Sequence, residues 1–470
     1  MNLNWQRTKI ICTLGPATDN PEVLQALIEN GLDVARVNMS HGHPAEHAER
    51  ISRARRTADA CGVPLAILVD LPGPKFRVGN LVDQVMEVRR GQELTLASSP
   101  VGGPYVPLTY PDLIAGLGVG ESVYIADGSV AMDVLSVQAD RVECRVWRGG
   151  VIRSGAGINF PDSELSTGAP TPKDLEFLQF ALQQKAEWVG VSFVQSAADL
   201  HRVREHLPAG NSPLLVAKIE RKPALAHLDA ILQAADAVMV ARGDLGIETE
   251  LEGVPLLQKR IIAKARKIAR PVITATQMLE SMITHAQPTR AEVADVANAV
   301  LDGTSAVMLS AETAIGQYPK EAVKTLSRVV QVTEDAPEEM FSLTYSNTES
   351  GSMEEAISLV ACRLAREMRA KAIVLPVRRL SEAADVARFR PGAPILAFAA
   401  TDYLRRQLNM VWGVLPLSGS VECRTRRCVD QAREWLLKTG RAAPGDPIVV
   451  LYSSDDSSAA SDTLQVVYLP

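Results

Sequence analysis

The apolar run "LLVAKIERKP" (214–223) contains Lys218 and Glu220, two residues apart. Residues i and i+2 of a β-strand share a face, so an ammonium and a carboxylate stand side by side where a buried strand stops. Polar ends of this kind recur along the chain. "DVARVNMS" carries Arg36 with Asn38 and Ser40, and "PLAILVDL" carries Asp70. Ser192 lies in "WVGVSFV", Arg242 and Asp244 in "AVMVARGD", Thr276 and Gln277 in "PVITATQM", and Glu312 in "AVMLSAET". Gathered in one pocket, Glu220 and Asp244 offer the oxygen ligands that suit Mg²⁺, which keeps open positions for phosphate oxygens. Asp70 is a third carboxylate. Arg36 and Lys218 supply fixed positive charge, and Arg36 can clamp a phosphate through two N–H groups. Asn38, Ser40 and Thr276 add neutral donors. Such a set suits phosphoryl transfer, where catalysis is mostly positioning and charge stabilisation.

Two other chemistries compete for these residues. Lys218 could form a Schiff base, but that requires a neutral amine, and the neighbouring Glu220 favours the charged form. His41, His43 and His47 in "SHGHPAEH" have a spacing that invites zinc. His43 precedes a proline, however, and no acidic partner is evident, so they read as solvated loop and helix residues.

The elements that must position these groups form a repeated unit. Strands are expected at 8–15, 33–40, 64–71, 188–194, 213–220, 237–244, 271–278 and 306–313. Helical patterns fit between them at 21–30, 44–60, 174–186, 197–207, 222–234, 256–268 and 289–301, with another at 320–334. Near-continuous Val/Ile/Leu/Ala strands alternating with helices indicate a parallel sheet buried on both faces. Eight units match a closed (β/α)8 barrel, whose C-terminal strand ends form the active-site face; an open doubly wound sheet is the alternative. The alternation is interrupted at 72–168 by short Gly- and Val-rich runs, which read as an inserted small β-barrel lid domain. "GLGVGES" within it resembles a phosphate loop, but no helix start follows, so it reads as a hairpin connection. A polar linker (338–353) precedes a C-terminal α/β domain at 354–470, leaving 1–71 and 169–340 to the catalytic barrel.

Composition narrows the classes further. The chain has 470 residues, 46% hydrophobic and 22% charged, with a net charge of −6. That balance is ordinary for a soluble, multidomain globular protein and argues against nucleic-acid or acidic-membrane partners. There is neither a signal-peptide layout nor an apolar run long enough to span a bilayer. Six scattered cysteines form no disulfide framework and read as reduced thiols, so a cytoplasmic location is expected.

Taken in order, "CTLGPAT", "ARVNMSHG", "DLPGPKFRVG", "VAKIE", "MVARGDLG", "TATQMLESM" and "PTRAEVADVANAVLDGTSAVMLSAETAIGQYP" resemble the pyruvate kinase family. The likeness covers about residues 7–334 and continues more weakly through the insert and the C-terminal domain. It implies transfer of the phosphoryl group of phosphoenolpyruvate to ADP, giving pyruvate and ATP. It further implies that Lys218 stabilises the transferring group and the enolate, that Arg36 contacts the phosphoryl group, and that Thr276 lies beside the carbon that is protonated. Glu220 and Asp244 would hold Mg²⁺, with Mn²⁺ as a substitute. Ala241, Arg242 and Gly243 would shape the substrate carboxylate site, and Asn38, His41, Arg77 and Pro16 would border the nucleotide. A homotetramer is implied by the same likeness.

Departures from the family pattern refine these expectations. Leu71 stands where many members have threonine, and Lys75 stands where they have glutamate, in the K⁺ region with Asn38, Ser40 and Asp70. Members with lysine there resemble a K⁺-independent subgroup, so K⁺ is not expected to be required. Ala156 replaces a lysine that usually reaches ADP, and Ala126 an acid beside Asp127, with Arg153 or Arg148 as compensation. The sugar-phosphate loop reads "VRRLSE" (377–382) and the late effector loop "SSDDSSAASD" (453–462), so activation by fructose-1,6-bisphosphate is not expected. The rival readings are a catalytically impaired paralogue that binds metabolites as a regulator, and a phosphoenolpyruvate-using barrel enzyme with another acceptor.

Overall fold

The computed structural model describes residues 5–74, 76–99, 101, 105–109, 114, 116–163, 169–336, 352–419, 425–453 and 462–470. Strands β1 (Lys9–Thr13), β2 (Leu32–Asn38) and β3 (Ala66–Asp70) open the chain. The insert follows with β4 (Val85–Val88), β5 (Glu93–Ala97), β6 (Tyr105–Pro107), β7 (Ser122–Ile125), β8 (Val130–Val137), β9 (Arg141–Arg148), β10 (Gly150–Arg153) and β11 (Ile158–Asn159). The first alternation then resumes as β12 (Trp188–Val191), β13 (Leu214–Ile219), β14 (Ala237–Ala241), β15 (Val272–Ala275) and β16 (Ala306–Leu309). Strands β1–β3 and β12–β16 close a parallel barrel in the order β1-β16-β15-β14-β13-β12-β3-β2.

Parity along each strand decides which side chains reach the barrel axis. On β13, Leu215, Ala217 and Ile219 join the core against the outer helices, whereas Val216 belongs to the inner core. Lys218 shares Val216's face. On β2, Ala35 and Val37 face outward and Val34 inward, which puts Arg36 and Asn38 on the inner face. On β3, Ile67 and Val69 face outward, while Ala66 and Leu68 precede Asp70 on the axis side. The apolar run of each strand thus fills the barrel, and its last inward position carries the polar group.

The elements depart from the sequence reading at the strand ends. Ser192, Asp244, Thr276 and Glu312 lie just beyond their strands, Asp244 in the helix Arg242–Glu248 and Glu312 in the short helix Ala311–Ala314. The helix expected at 222–234 is two, Lys222–Ala226 and Leu228–Ala234, broken at His227.

The insert has its own core. It forms a six-stranded sheet, ordered β11-β7-β8-β9-β5-β6, and a two-stranded β10-β4 ribbon. Gly116–Gly120 leads through a turn into β7 rather than a helix, but it is not the hairpin connection expected, because β6 and β7, the strands on either side of it, are not neighbours in the sheet.

The C-terminal unit contributes β17 (Ile373–Val377), β18 (Ile395–Ala399), β19 (Val414–Ser418), β20 (Pro447–Tyr452) and β21 (Thr463–Tyr468), in the order β19-β18-β17-β20-β21. A proline interrupts β19, and β21 is mostly half-exposed. This unit covers the N-terminal end of the barrel. The inner core of the barrel runs continuously into the residues of β17 and β18. Trp188 Nε1 donates to the Gln407 carbonyl at 3.3 Å, Lys9 Nζ to that of Val414 at 2.8 Å, and Asn409 Nδ2 to that of Pro64 at 2.6 Å. Glu187, fully buried, accepts from Arg55 and Arg406.

Among the described residues Cys12, Cys61, Cys144 and Cys362 are free thiols, but Cys428 is in a disulfide, against the expectation of reduced thiols throughout. No described helix is long and apolar enough to cross a membrane.

Candidate functional site

At the C-terminal mouth of the barrel, Lys218 is the hub. Its ammonium lies 2.8 Å from Glu220 Oε1 and 3.3 Å from Asp70 Oδ1, and donates to Ser192 Oγ at 2.7 Å. Ser192 Oγ in turn donates to the Leu71 carbonyl at 2.7 Å. Burial works against the charge, yet Asp70 and Glu220 outweigh it and hold the Lys218 pKa above its ordinary value. The amine is therefore an ammonium at any physiological pH, which removes the Schiff-base reading.

Arg36 is fixed from two sides. Its Nε donates to Asp70 Oδ2 at 2.8 Å, with Nη2 at 2.6 Å from the same oxygen. Nη1 donates to Thr13 Oγ1 at 2.8 Å, a contact that follows from the register pairing Thr13 with Arg36 across β1 and β2. Asp70 is 1% exposed, and burial opposes its charge, but Lys218 and Arg36 hold its pKa below the ordinary carboxylate value. Gly190, the β12 partner of Asp70, makes this possible. A β-carbon there would sit 3.0 Å from Asp70 Oδ1.

Glu220 is also 1% exposed, and its Oε2 accepts the Phe193 N–H at 2.7 Å. Its pKa is raised, first by burial and then by the charge of Asp244, against the pull of Lys218. Two carboxylates that repel each other at the edge of a cleft are a donor set that a hard divalent cation would relieve.

Thr276, with φ of 66°, accepts the Gly243 N–H on Oγ1 at 2.9 Å and donates to the Ala275 carbonyl at 2.6 Å. Ala241 is buried beneath it. Arg242 turns away from the mouth, forked onto Asp295 at 2.7 and 2.8 Å and donating to the Thr276 carbonyl at 2.6 Å. Its part is to anchor the turn, so only backbone at 241–243 is left to meet a ligand. Glu312 likewise serves the backbone, accepting from Ser310 and Leu279.

Beside this cluster a cleft of about 670 Å³ opens between the insert and the barrel, lined among others by His41, Arg77, Arg153, Ala156, Phe193 and Asp244. Asp244 and Phe193 connect it to Glu220. Of the expected nucleotide residues, His41 and Arg77 line the cleft, whereas Asn38 accepts the Ser40 N–H and Pro16 is exposed elsewhere. Arg153 reaches the cleft; Arg148 instead donates to the Gly128 carbonyl and stacks on Trp147. His47 is buried, not solvated, with Nε2 bonded to the His41 carbonyl at 2.7 Å. Lys75 lies outside the described residues, as does most of the late effector loop.

Sequence reasoning missed the residues that hold the site rather than compose it: Thr13, Asp295, the Phe193 N–H, and the buried Arg221–Glu248 pair. That pair reaches the insert, Arg221 donating to the Phe160 carbonyl and Glu248 accepting from Asn159. Only the position of Arg221, next to Glu220, hinted at a role.

Two family models match the chain: the pyruvate kinase barrel domain over residues 5–323 and the pyruvate kinase alpha/beta domain over residues 355–467. Curated relatives agree. A pyruvate kinase of Mycobacterium intracellulare is 40% identical over 98% of this chain and 97% of its own length. One from Geobacillus stearothermophilus is 38% identical over 99% of this chain and 80% of its own length. One from Thermococcus litoralis is 40% identical over 88% of this chain and 89% of its own length.

Proposed function

The chain belongs to the pyruvate kinase family, and on that premise we propose that Lys218, Arg36 and Thr276 are the catalytic residues of its reaction at the barrel mouth. As a phosphotransferase of this family it moves a phosphoryl group from phosphoenolpyruvate to ADP, giving pyruvate and ATP. The observation that carries the assignment of roles is the Arg36–Asp70–Lys218–Glu220 chain of ion pairs, with Asp244 beside it.

Three carboxylates face two cations here, so the mouth by itself carries net negative charge and repels an anionic substrate. Glu220 and Asp244 would hold a divalent cation, Mg²⁺ or Mn²⁺, which would supply Lewis-acid stabilisation to the phosphoryl and enolate oxygens. Lys218, kept charged by its neighbours, donates to the oxygen on which charge develops. Arg36 presents its remaining donor surface to the phosphoryl group. The Thr276 hydroxyl, held between the Gly243 N–H and the Ala275 carbonyl, orders the proton source for the enolate carbon. The backbone turn at 241–243 shapes the site for the substrate carboxylate, and the cleft with His41, Arg77 and Arg153 receives ADP.

The enzyme works without K⁺. Leu71 offers no side-chain oxygen and its carbonyl is taken by Ser192, which fits a lysine ammonium, that of Lys75, standing in for the ion. Fructose-1,6-bisphosphate does not activate it, because Glu382 occupies the loop itself, accepting the Arg378 N–H at 2.8 Å and pairing with Arg379 at 3.4 Å. We further assign the barrel to 1–71 and 169–340, the lid to 72–168 and the C-terminal domain to 354–470, in a cytoplasmic homotetramer.

A lactate-dehydrogenase-coupled assay with phosphoenolpyruvate and ADP tests this reading. Turnover is expected with Mg²⁺ alone, lost on chelation, and unchanged by K⁺ or fructose-1,6-bisphosphate. Binding of phosphoenolpyruvate without turnover would favour the impaired-regulator alternative instead.

A further inference from the structure

The insert meets the barrel through a buried ion pair that stands apart from the chain of charges at the mouth. Arg221 Nε lies 3.3 Å from Glu248 Oε2, and the two residues are 2% and 3% exposed. Each also grips the insert. Arg221 Nη2 donates to the Phe160 carbonyl at 2.9 Å, and Glu248 Oε1 accepts from Asn159 Nδ2 at 3.1 Å. Glu248 closes the helix Arg242–Glu248, the end at which the helix dipole disfavours a carboxylate. Its own helix gives no reason for the charge there; Arg221 and Asn159 do.

The gripped segment is where the chain crosses between the two units. Phe76 lies just after the chain leaves the barrel, and Phe160 just before it returns. The two crossings are joined. The Ile158 N–H donates to the Phe76 carbonyl at 3.0 Å, Arg77 and Gly157 form an antiparallel bridge, and the Phe76 and Phe160 rings meet edge to face with centroids 6.1 Å apart. They form one stalk, so a clamp on Asn159 and Phe160 fixes both crossings. On the barrel side the clamp is built into the site. Arg221 adjoins Glu220, and Glu248 lies one turn beyond Asp244 on the same helix. Arg221, Glu248, Asn159 and Phe160 all line the cleft between insert and barrel. Lys222 and Asp162 pair alongside at 2.9 Å, but both are exposed, and an exposed pair holds little. Removing one member of a buried pair, by contrast, strands the other charge.

We infer that Arg221, Glu248 and Asn159 are positioning residues that register the lid on the segments carrying Glu220 and Asp244, so that the cleft presents ADP in line with the phosphoryl donor. The inference rests on the assignment of that cleft to ADP. The three residues act through the placement of the lid and need not touch the reacting atoms. A lid displaced by about 1 Å is enough to cost roughly 10² in rate.

Hydrogen exchange of the full-length protein with no ligand added, read by mass spectrometry beside steady-state kinetics, tests the clamp. In Arg221→Met, exchange at 76–79 and 157–160 is expected to rise at least about fivefold, while that of β14 stays at the wild-type rate. KM for ADP should rise about tenfold or more, with KM for phosphoenolpyruvate within about threefold of wild type, because only the nucleotide lies against the lid. Asn159→Ala leaves Arg221 and Glu248 paired and should show the same pattern at smaller size. Asn159→Asp, nearly isosteric, should loosen the stalk more than Asn159→Ala, since it sets a second carboxylate against Glu248. The Asn159 variants decide the matter if Arg221→Met fails to fold. Stalk exchange at the wild-type rate in all three variants overturns the inference, as does a KM for phosphoenolpyruvate that rises in step with that for ADP. Arg153→Met, which removes a cation from the cleft and leaves the clamp intact, checks the assignment beneath it. An unchanged KM for ADP there would sink the nucleotide reading of the cleft, and the exchange rates would still decide whether the pair holds the lid.

Discussion

Replacing Lys218 by methionine isolates the charge on which the mouth is organised. The side chain is 11% exposed, with its nitrogen 2.8 Å from Glu220 and 3.3 Å from Asp70. In a site of effective dielectric constant about 20, an ion pair near 3 Å is worth on the order of 5 kcal/mol before desolvation is counted. Asp70 keeps Arg36, so the fold should survive. Glu220 keeps only the Phe193 N–H against the charge of Asp244, so the mouth becomes more negative and repels an anionic substrate more strongly. Loss of one preorganised donor at a developing oxyanion costs about 3–4 kcal/mol, or roughly 10²–10³ in kcat. With that repulsion added, kcat/KM for phosphoenolpyruvate is expected to fall by at least about 10³, while KM for ADP changes less than about threefold. Lys218→Arg should not rescue, because a planar fork cannot occupy the position of a compact ammonium between Ser192, Asp70 and Glu220. The coupled assay at saturating Mg²⁺, with circular dichroism as the folding control, gives the answer. Activity of Lys218→Met within tenfold of wild type would refute the assignment.

Other expectations follow from the same geometry. Gly190→Ala places a methyl against Asp70 and should lower kcat/KM about tenfold, with a stability loss of about 1–3 kcal/mol seen in urea unfolding. Thr276→Val removes the acceptor of the Gly243 N–H, and kcat should fall by about 10–10² with little change in KM; equal loss through KM alone would point to binding. Glu187→Gln weakens the buried anchor of Arg55 and Arg406 at the opposite end of the barrel, so about 2–4 kcal/mol of stability should go while kcat at 25 °C stays near wild type. Asp385 has its pKa pushed up to about 6, chiefly by burial. A carboxyl whose folded-state pKa is raised contributes stability below its unfolded value near 4 and loses it as pH rises through about 6. Asp385→Asn should therefore stabilise the protein by on the order of 1–2 kcal/mol at pH 7.5, measured by chemical denaturation, and the gain should vanish near pH 4.

The alternation of apolar strands with amphipathic helices was legible in the sequence because each strand is buried on both faces, which leaves near-continuous Val, Ile and Ala runs. The inward polar residues at Arg36, Asp70 and Lys218 were legible for the same reason, since a period of two fixes the face once the neighbours are known to be core. What lay beyond the strand ends was less so. Asp244, Thr276 and Glu312 sit in turns and short helices whose paths depend on neighbouring elements, so equal-looking positions came to different uses. Arg242 went to Asp295 and Glu312 to two backbone N–H groups, while Asp244 reached the cleft. His47, which reads as a surface residue of an amphipathic helix, was drawn inward by the His41 carbonyl. By itself, then, the sequence determined the barrel, its chemistry and the family, because local periodicity and long ordered motifs encode them. Only the tertiary structure decided which charges find partners, setting Lys218 between Asp70 and Glu220 and leaving two Arg390 nitrogens without a hydrogen-bond partner among the described residues, because pairing is settled between segments far apart in the chain.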